Sequence, residues 1–166
     1  PTGTLLAAGL GNPDITRDRL GALAIRRLSP RQGRRHSLAA IETDVALRTG
    51  IETAALVRSA AREIGAAAII AVDSLCCDVP ERLYRTVQLT DAGITPGSGA
   101  AAPRKELSAR TAGIPVIAVG VPSAALLSSI TGNKEHQHFL AAPSDEDIQS
   151  LLWADCITTA ISAIIR

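Results

Sequence analysis

The sequence predicts an α/β fold, with parallel strands in one helix-flanked sheet, and two observations carry that reading. Short apolar runs recur at Thr4–Ala8 (TLLAA), Ala66–Val72 (AAAIIAV) and Ile114–Val119 (IPVIAV), with helical patterns between them. Runs that are apolar at every residue, not at alternate ones, belong to strands covered on both faces, as parallel sheets are. Composition agrees: 46% of residues are hydrophobic and only 2% aromatic, so Ala, Val, Ile and Leu must build the core. A length of 166 residues suits a single domain over 1–166 with a sizeable core.

Each element has a local reason. Thr4–Ala8 closes on Gly9-Leu10-Gly11-Asn12-Pro13, a tight turn after a buried strand. A helix is expected from Asp18 through Leu28, ending near Pro30. Its exit is basic, with Arg26, Arg27, Arg31, Arg34, Arg35 and His36, but no aromatics interleave the charges, so it reads as a solvated loop. His36 to Ile41 is a weaker strand candidate. Thr53 to Ile64 (TAALVRSAAREI) has apolar residues at helical spacing and stops at Gly65. Ala66–Val72 is the expected central strand, and Arg85–Thr90 (RTVQLT) alternates before Asp91. Ile114–Val119 is expected to end at Gly120-Val121-Pro122-Ser123. Ser144, Glu146 and Asp147 open a last helix running to about Ile165, its acidic first turn suiting the helix dipole. Residues 92–105 and 131–143 read as long loops, and the first follows a strand at the expected working edge.

Charge and cysteine content exclude several classes. A formal net charge of +1, from 17 basic and 16 acidic residues, supplies no global field for nucleic acid or an anionic membrane. Arg or Asp interrupts every apolar run before it reaches membrane-helix length, and no secretory signal pattern opens the segment at Pro1. The three cysteines, Cys76, Cys77 and Cys156, form no C-x-x-C pair. A reduced, cytoplasmic compartment is expected.

Two aspartates carry the chemistry. Asp18 lies in GLGNPDITRDRLG and Asp73 in AAAIIAVDSL, each just past an apolar run. Open α/β sheets keep their working groups at the carboxyl ends of strands. A carboxylate there is costly unless it is paired, hydrogen-bonded or used. Two carboxyls brought together share one proton, and so supply an acid and a base for hydrolysis. Which of them holds the proton is not readable from the residues, because a coupled pair titrates as a unit.

Six motifs stand in order: GLGN…TRDRLG, RTGIET, AVDSL, TVQLTDAGITPGSG, RKELS and GIPVIAVGVPS, followed by APSDEDI. Together they resemble the germination proteases of spore-forming bacteria, aspartic endopeptidases that degrade small acid-soluble spore proteins. The resemblance implies a three-layer sandwich with a mixed, mostly parallel central sheet, similar to hydrogenase-maturation peptidases. It implies that Asp18 and Asp73 are the catalytic pair, with no metal and no cofactor. It also points to the loop DAGITPGSG, with Asp91, Gly93, Pro96, Gly97, Ser98 and Gly99, as a substrate-cleft wall, and to Lys105 and Glu106 in RKELS as substrate-side groups. Glycines in such a loop let the backbone approach an extended peptide. The implied partners are a protein substrate, suspected to be a spore protein, and further copies of the chain in a homo-oligomer. The implied compartment is the cytoplasm of the forespore or the spore core. The chain is identified as a short, divergent member: AAAPRK follows TPGSG, Cys76-Cys77 replace small residues, and AALLSS follows GVPS.

Three other readings compete. GLGNP followed by Thr-Arg resembles the opening of peptidyl-tRNA hydrolases, but those need a histidine and an asparagine where this chain has Asp18 and Arg19. A metal-dependent maturation peptidase would need a histidine ligand, and the clustered pair His136 and His138 reads as an exposed loop pair. A non-catalytic or regulatory paralogue with the same fold is the third.

Overall fold

The three apolar runs lie side by side at the centre of one sheet. The computed structural model describes residues 3–32, 36–97 and 104–165. Its strands are β1 (Gly3–Gly9), β2 (His36–Glu42), β3 (Ala68–Cys77), β4 (Gln88–Thr90), β5 (Val116–Leu126) and β6 (Leu140–Ala141). The order is β2-β1-β3-β5-β4, with β6 also pairing with β5. β2, β1, β3 and β5 run parallel, while β4 and β6 pair antiparallel with β5. The helices are α1 (Leu20–Arg26), α2 (Ala46–Thr49), α3 (Thr53–Glu63), α4 (Ala109–Ala112), α5 (Leu127–Thr131) and α6 (Glu146–Ile164). The sheet is thus mixed and mostly parallel, as expected.

Side chains alternate across it. Leu5, Ala7, Ile70 and Val72 meet Leu20, Ala24 and Ile25 of α1 and Ile157 and Ile161 of α6 on one face. Leu6, Ala8, Ile69 and Ala71 meet Ala54, Val57 and Ala61 of α3 on the other. Burial of each such Leu, Ile or Val stabilises the fold by about 1.5–3 kcal/mol, so the covered central strands hold the molecule together. Small residues set the spacing. A Cβ on Gly21 would stand 2.4 Å from the Val72 carbonyl oxygen and 2.5 Å from Leu10 N, and one on Gly9 would stand 2.3 Å from the Gly21 oxygen. Only glycine lets α1 settle this closely over β1 and β3.

Several boundaries differ from expectation. β3 does not end before Asp73 but carries it in register with Gly120 and continues to Cys77. β5 likewise passes through Gly120-Val121-Pro122-Ser123 to Leu126. Pro122 is tolerated because the backbone there faces the sheet's outer side, where its carbonyl accepts the Tyr84 N–H, and the ladder to β3 loses no donor. A bulge follows, between Leu75 and Cys76. The first expected helix is split, since Thr16–Asp18 forms a 3-10 turn and α1 starts only at Leu20. Of Arg85–Thr90 only Gln88–Thr90 pairs, as an exposed edge. The 131–143 loop contains a 3-10 turn at Lys134–His136 and then β6.

Candidate active site

β1 and β3 part company where the two aspartates sit. The Leu10 N–H still bonds the Val72 carbonyl at 2.8 Å, but Gly11, at φ +93°, turns the chain out of the sheet. A Cβ there would come 2.1 Å from the Asp18 carbonyl oxygen and 2.8 Å from its Oδ1. The turn lets the Asn12 N–H donate to Asp18 Oδ2 at 2.7 Å. Ser123, buried in β5, donates its hydroxyl to the Arg17 carbonyl and so moors the 3-10 turn that carries Asp18.

Asp73 is 7% exposed, on the stretch of β3 that β1 no longer covers. Its Oδ1 accepts the Ser74 N–H at 2.9 Å. Burial, then the negative charge of Asp18, push its pKa up to about 8 against the opposing Ser74 hydrogen bond. Burial also raises Asp18, opposed by the Asn12 N–H and by Arg17. Each carboxyl is thus raised from its ordinary value, Asp73 the more clearly.

Both line one cavity of about 590 Å³ at the carboxyl end of the central strands. The β1–α1 turn contributes Gly11, Asn12 and Arg17, and the α2–α3 region contributes Val45, Leu47, Glu52 and Thr53. β3 adds Ser74, Leu75 and Cys76, and the long loop adds Ile94, Thr95, Pro96, Gly97 and Arg104. The Arg104 side chain is only 14% exposed and lies 3.9 Å from Glu52 Oε1. Its Nε has no hydrogen-bond partner among the described residues.

The substrate-side residues expected from sequence divide. Pro96 and Gly97 line the cavity, whereas Asp91, Gly93, Lys105 and Glu106 are not among its lining residues. Asp91 and Lys105 are exposed. Gly93, at φ +98°, lies against Leu107 and Ser108, where a Cβ would meet Ser108 Cβ at 2.5 Å. Glu106 binds Arg110 at 2.5 Å, one helical turn on. Ser98 and Gly99 lie outside the described residues. Asn12, Arg17, Glu52, Thr53, Cys76, Arg104 and Ser123 were not singled out from sequence. The signal in GLGN was Gly11, whose positive φ aims the next backbone N–H at Asp18, while the Asn12 side chain accepts the Asp14 N–H at 2.9 Å. His136, in the polar loop, bonds Thr131 at 2.9 Å, away from the cavity lining. Among the described residues, no three His, Cys, Asp or Glu side chains converge as a metal site would require, and no helix is long and apolar enough to cross a membrane.

Known proteins bear on this arrangement in sequence. The germination protease of Priestia megaterium is 39% identical over 140 residues, which are 77% of this chain and 38% of that protein. The germination protease of Bacillus velezensis is 40% identical over 149 residues, 81% of this chain and 40% of that protein. The chain therefore spans about two fifths of the length of these curated relatives. Among solved structures, a PAC2 family protein from Streptomyces avermitilis superposes with TM-score 0.40 at 13% identity, covering 98% of this chain and 97% of that one. A proteasome-assembly chaperone homologue from Mycobacterium tuberculosis gives TM-score 0.34 at 13% identity, covering 96% and 95%. The family profile described as germination protease, peptidase family A25, matches residues 2–141, and the chain belongs to that family.

Proposed function

We propose that residues 1–166 act as a single catalytic domain, an aspartic-type endopeptidase that cleaves small acid-soluble spore proteins with Asp18 and Asp73 as its catalytic pair. The observation that carries this is one cavity lined by two carboxyls, with burial and mutual charge raising Asp73 to about 8. Such a pair carries one proton near neutrality. The more buried Asp73 holds it, and the half-buried Asp18, steadied by the Asn12 N–H, is the carboxylate.

In the reaction, Asp18 removes a proton from water as the oxygen attacks the scissile carbonyl carbon, while the Asp73 hydroxyl hydrogen-bonds the carbonyl oxygen. The tetrahedral adduct collapses, the C–N bond breaks, and Asp18 passes its proton to the leaving amine. One water is consumed, and both carboxyls return to their starting state. Members assembled as homo-oligomers in the cytoplasm of the forespore or spore core complete the reading. A three-layer fold like that of hydrogenase-maturation peptidases goes with it.

The test is incubation with a purified small acid-soluble spore protein, reading fragment masses. The wild type should yield discrete fragments, and Asp18→Asn and Asp73→Asn should each lose on the order of 10²–10⁴-fold in rate while keeping the wild-type circular dichroism. Cleavage surviving in both variants would remove the aspartates from the mechanism. Absence of cleavage by the wild type would favour a non-catalytic paralogue.

A further inference from the structure

β3 outlasts its neighbour on one side. β1 pairs with it only as far as Val72, opposite Gly9, whereas β5 stays paired with it to Cys77. Among the described residues, no strand occupies the lane beside Ser74–Cys76 on the β1 side. Backbone groups of a strand point alternately to its two neighbours. The Val72 carbonyl bonds Leu10 on the β1 side, and the Ile69 N–H bonds Pro115 on the β5 side. Even-numbered residues of β3 therefore turn their N–H and C=O groups toward β1, and odd-numbered ones toward β5. β5 agrees, since the Pro115 carbonyl accepts the Ile69 N–H on the β3 side and the Pro122 carbonyl accepts the Tyr84 N–H on the other, so its odd-numbered residues face β3 there.

The bulge at Leu75/Cys76 skips Ser123 of β5 and no residue of β3, so the alternation of β3 continues and Ser74 and Cys76 present their backbone groups to the open lane. The Ser74 N–H is taken by Asp73 Oδ1. Among the described residues, the Ser74 carbonyl and the Cys76 N–H and carbonyl have no partner outside the strand ladders. Both residues line the cavity that holds Asp18 and Asp73. Ser74 is half-buried and Cys76 exposed, so water satisfies these groups in the free protein, and an extended chain is the partner that matches their spacing of about 6.6 Å every second residue.

We infer that an extended segment of the substrate polypeptide joins the sheet as an added strand beside Ser74–Cys76, and that this placement delivers its scissile bond to the two aspartates. The inference rests on the peptidase reading above and adds a binding mode to it. Main-chain hydrogen bonds hold the segment, so affinity depends on its backbone, with side chains tuning it at alternate positions. The occupant is a peptide because the unpaired groups lie inside the catalytic cavity, where whatever fills the lane must also meet the carboxyl pair.

Asp73→Asn serves as a receptor that binds without turnover, since the amide oxygen still accepts the Ser74 N–H. Short fluorescein-labelled peptides tiling a small acid-soluble spore protein are titrated by anisotropy, and the tightest binder is then N-methylated one amide at a time. Strand addition weakens binding about tenfold or more at alternate amides and much less at those between. Cys76→Pro removes the lane-facing N–H but no bond to β5, and should weaken binding at least about tenfold more than Cys76→Ala, which keeps that N–H. Circular dichroism shows whether the proline variant folds, and the N-methyl scan decides independently of it. Binding with no two-residue period, equal losses for the two Cys76 variants, or no binding by any peptide overturns strand addition. So does a dimer that Cys76→Pro dissolves, because a second copy would then own the lane. Periodic binding without any cleavage by the wild type keeps strand addition and sinks only the peptidase reading.

Discussion

Replacing Asp73 by Asn separates the cost of this carboxyl from its chemistry. An ordinary Asp in an unfolded chain titrates near ~3.9, while burial and the charge of Asp18 lift Asp73 to about 8 in the folded state. Between those values the folded protein holds a proton that the unfolded chain has released. The contribution of this group to stability is therefore fully present below about pH 4, declines as pH rises, and is exhausted above about pH 8. The slope approaches 1.4 kcal/mol per pH unit, and the whole loss is on the order of 5 kcal/mol. Asn keeps the volume and the acceptor for Ser74 but cannot ionise. Urea unfolding of both proteins across about pH 4 to 9 should show the Asn variant gaining on the wild type by that amount, then levelling. Asp18→Asn should keep most of the wild-type slope, because burial outranks the Asp18 charge among the causes. A stability difference that stays flat within about 1 kcal/mol across the range would refute the reasoning, since Asp73 would then ionise freely and hold no proton for catalysis.

Three further substitutions probe how the site is built. Gly11→Ala forces a Cβ against the Asp18 carbonyl and Oδ1 at a positive φ, so it should cost about 1–3 kcal/mol in thermal unfolding and lower kcat by displacing Asp18. Ser123→Ala leaves the Arg17 carbonyl without its hydroxyl donor. It should cost roughly 1 kcal/mol, with a fall in kcat larger than any change in KM. Gly21→Ala drives a Cβ into the Val72 carbonyl and Leu10 N, and should destabilise by about 1–3 kcal/mol through the α1 packing, read as a lowered urea midpoint.

Much of the sheet was legible because burial on both faces leaves an unbroken apolar run. Ala66–Val72 and Thr4–Ala8 read as neighbouring core strands for that reason, and they are. The same rule hid the ends of β3 and β5. A charged or proline residue locally marks a stop, yet Asp73 stays in register because β5 continues beside it, and Pro122 turns its missing donor away from that ladder. Pairing of this kind is a property of the partner strand, which lies more than forty positions along the chain and leaves no trace in the local pattern. The aspartates could be named because a carboxyl after an apolar run is expensive in any packing of that run. The loop residues could not be sorted in the same way. Pro96 and Gly97 reach the cavity while Gly93 instead clears space for Ser108, although all three sit in one motif. Arg104 and Ser123 were invisible for a related reason: their roles depend on Glu52, on Arg17 and on the cavity between, contacts made only when distant segments meet. The extension of β3 past its partner joins these two lessons. The carboxyl that the sequence marked as a stop is where one neighbour leaves the sheet, and that departure opens both the cavity that the two aspartates line and the edge of β3 on which the proposed substrate strand would pair.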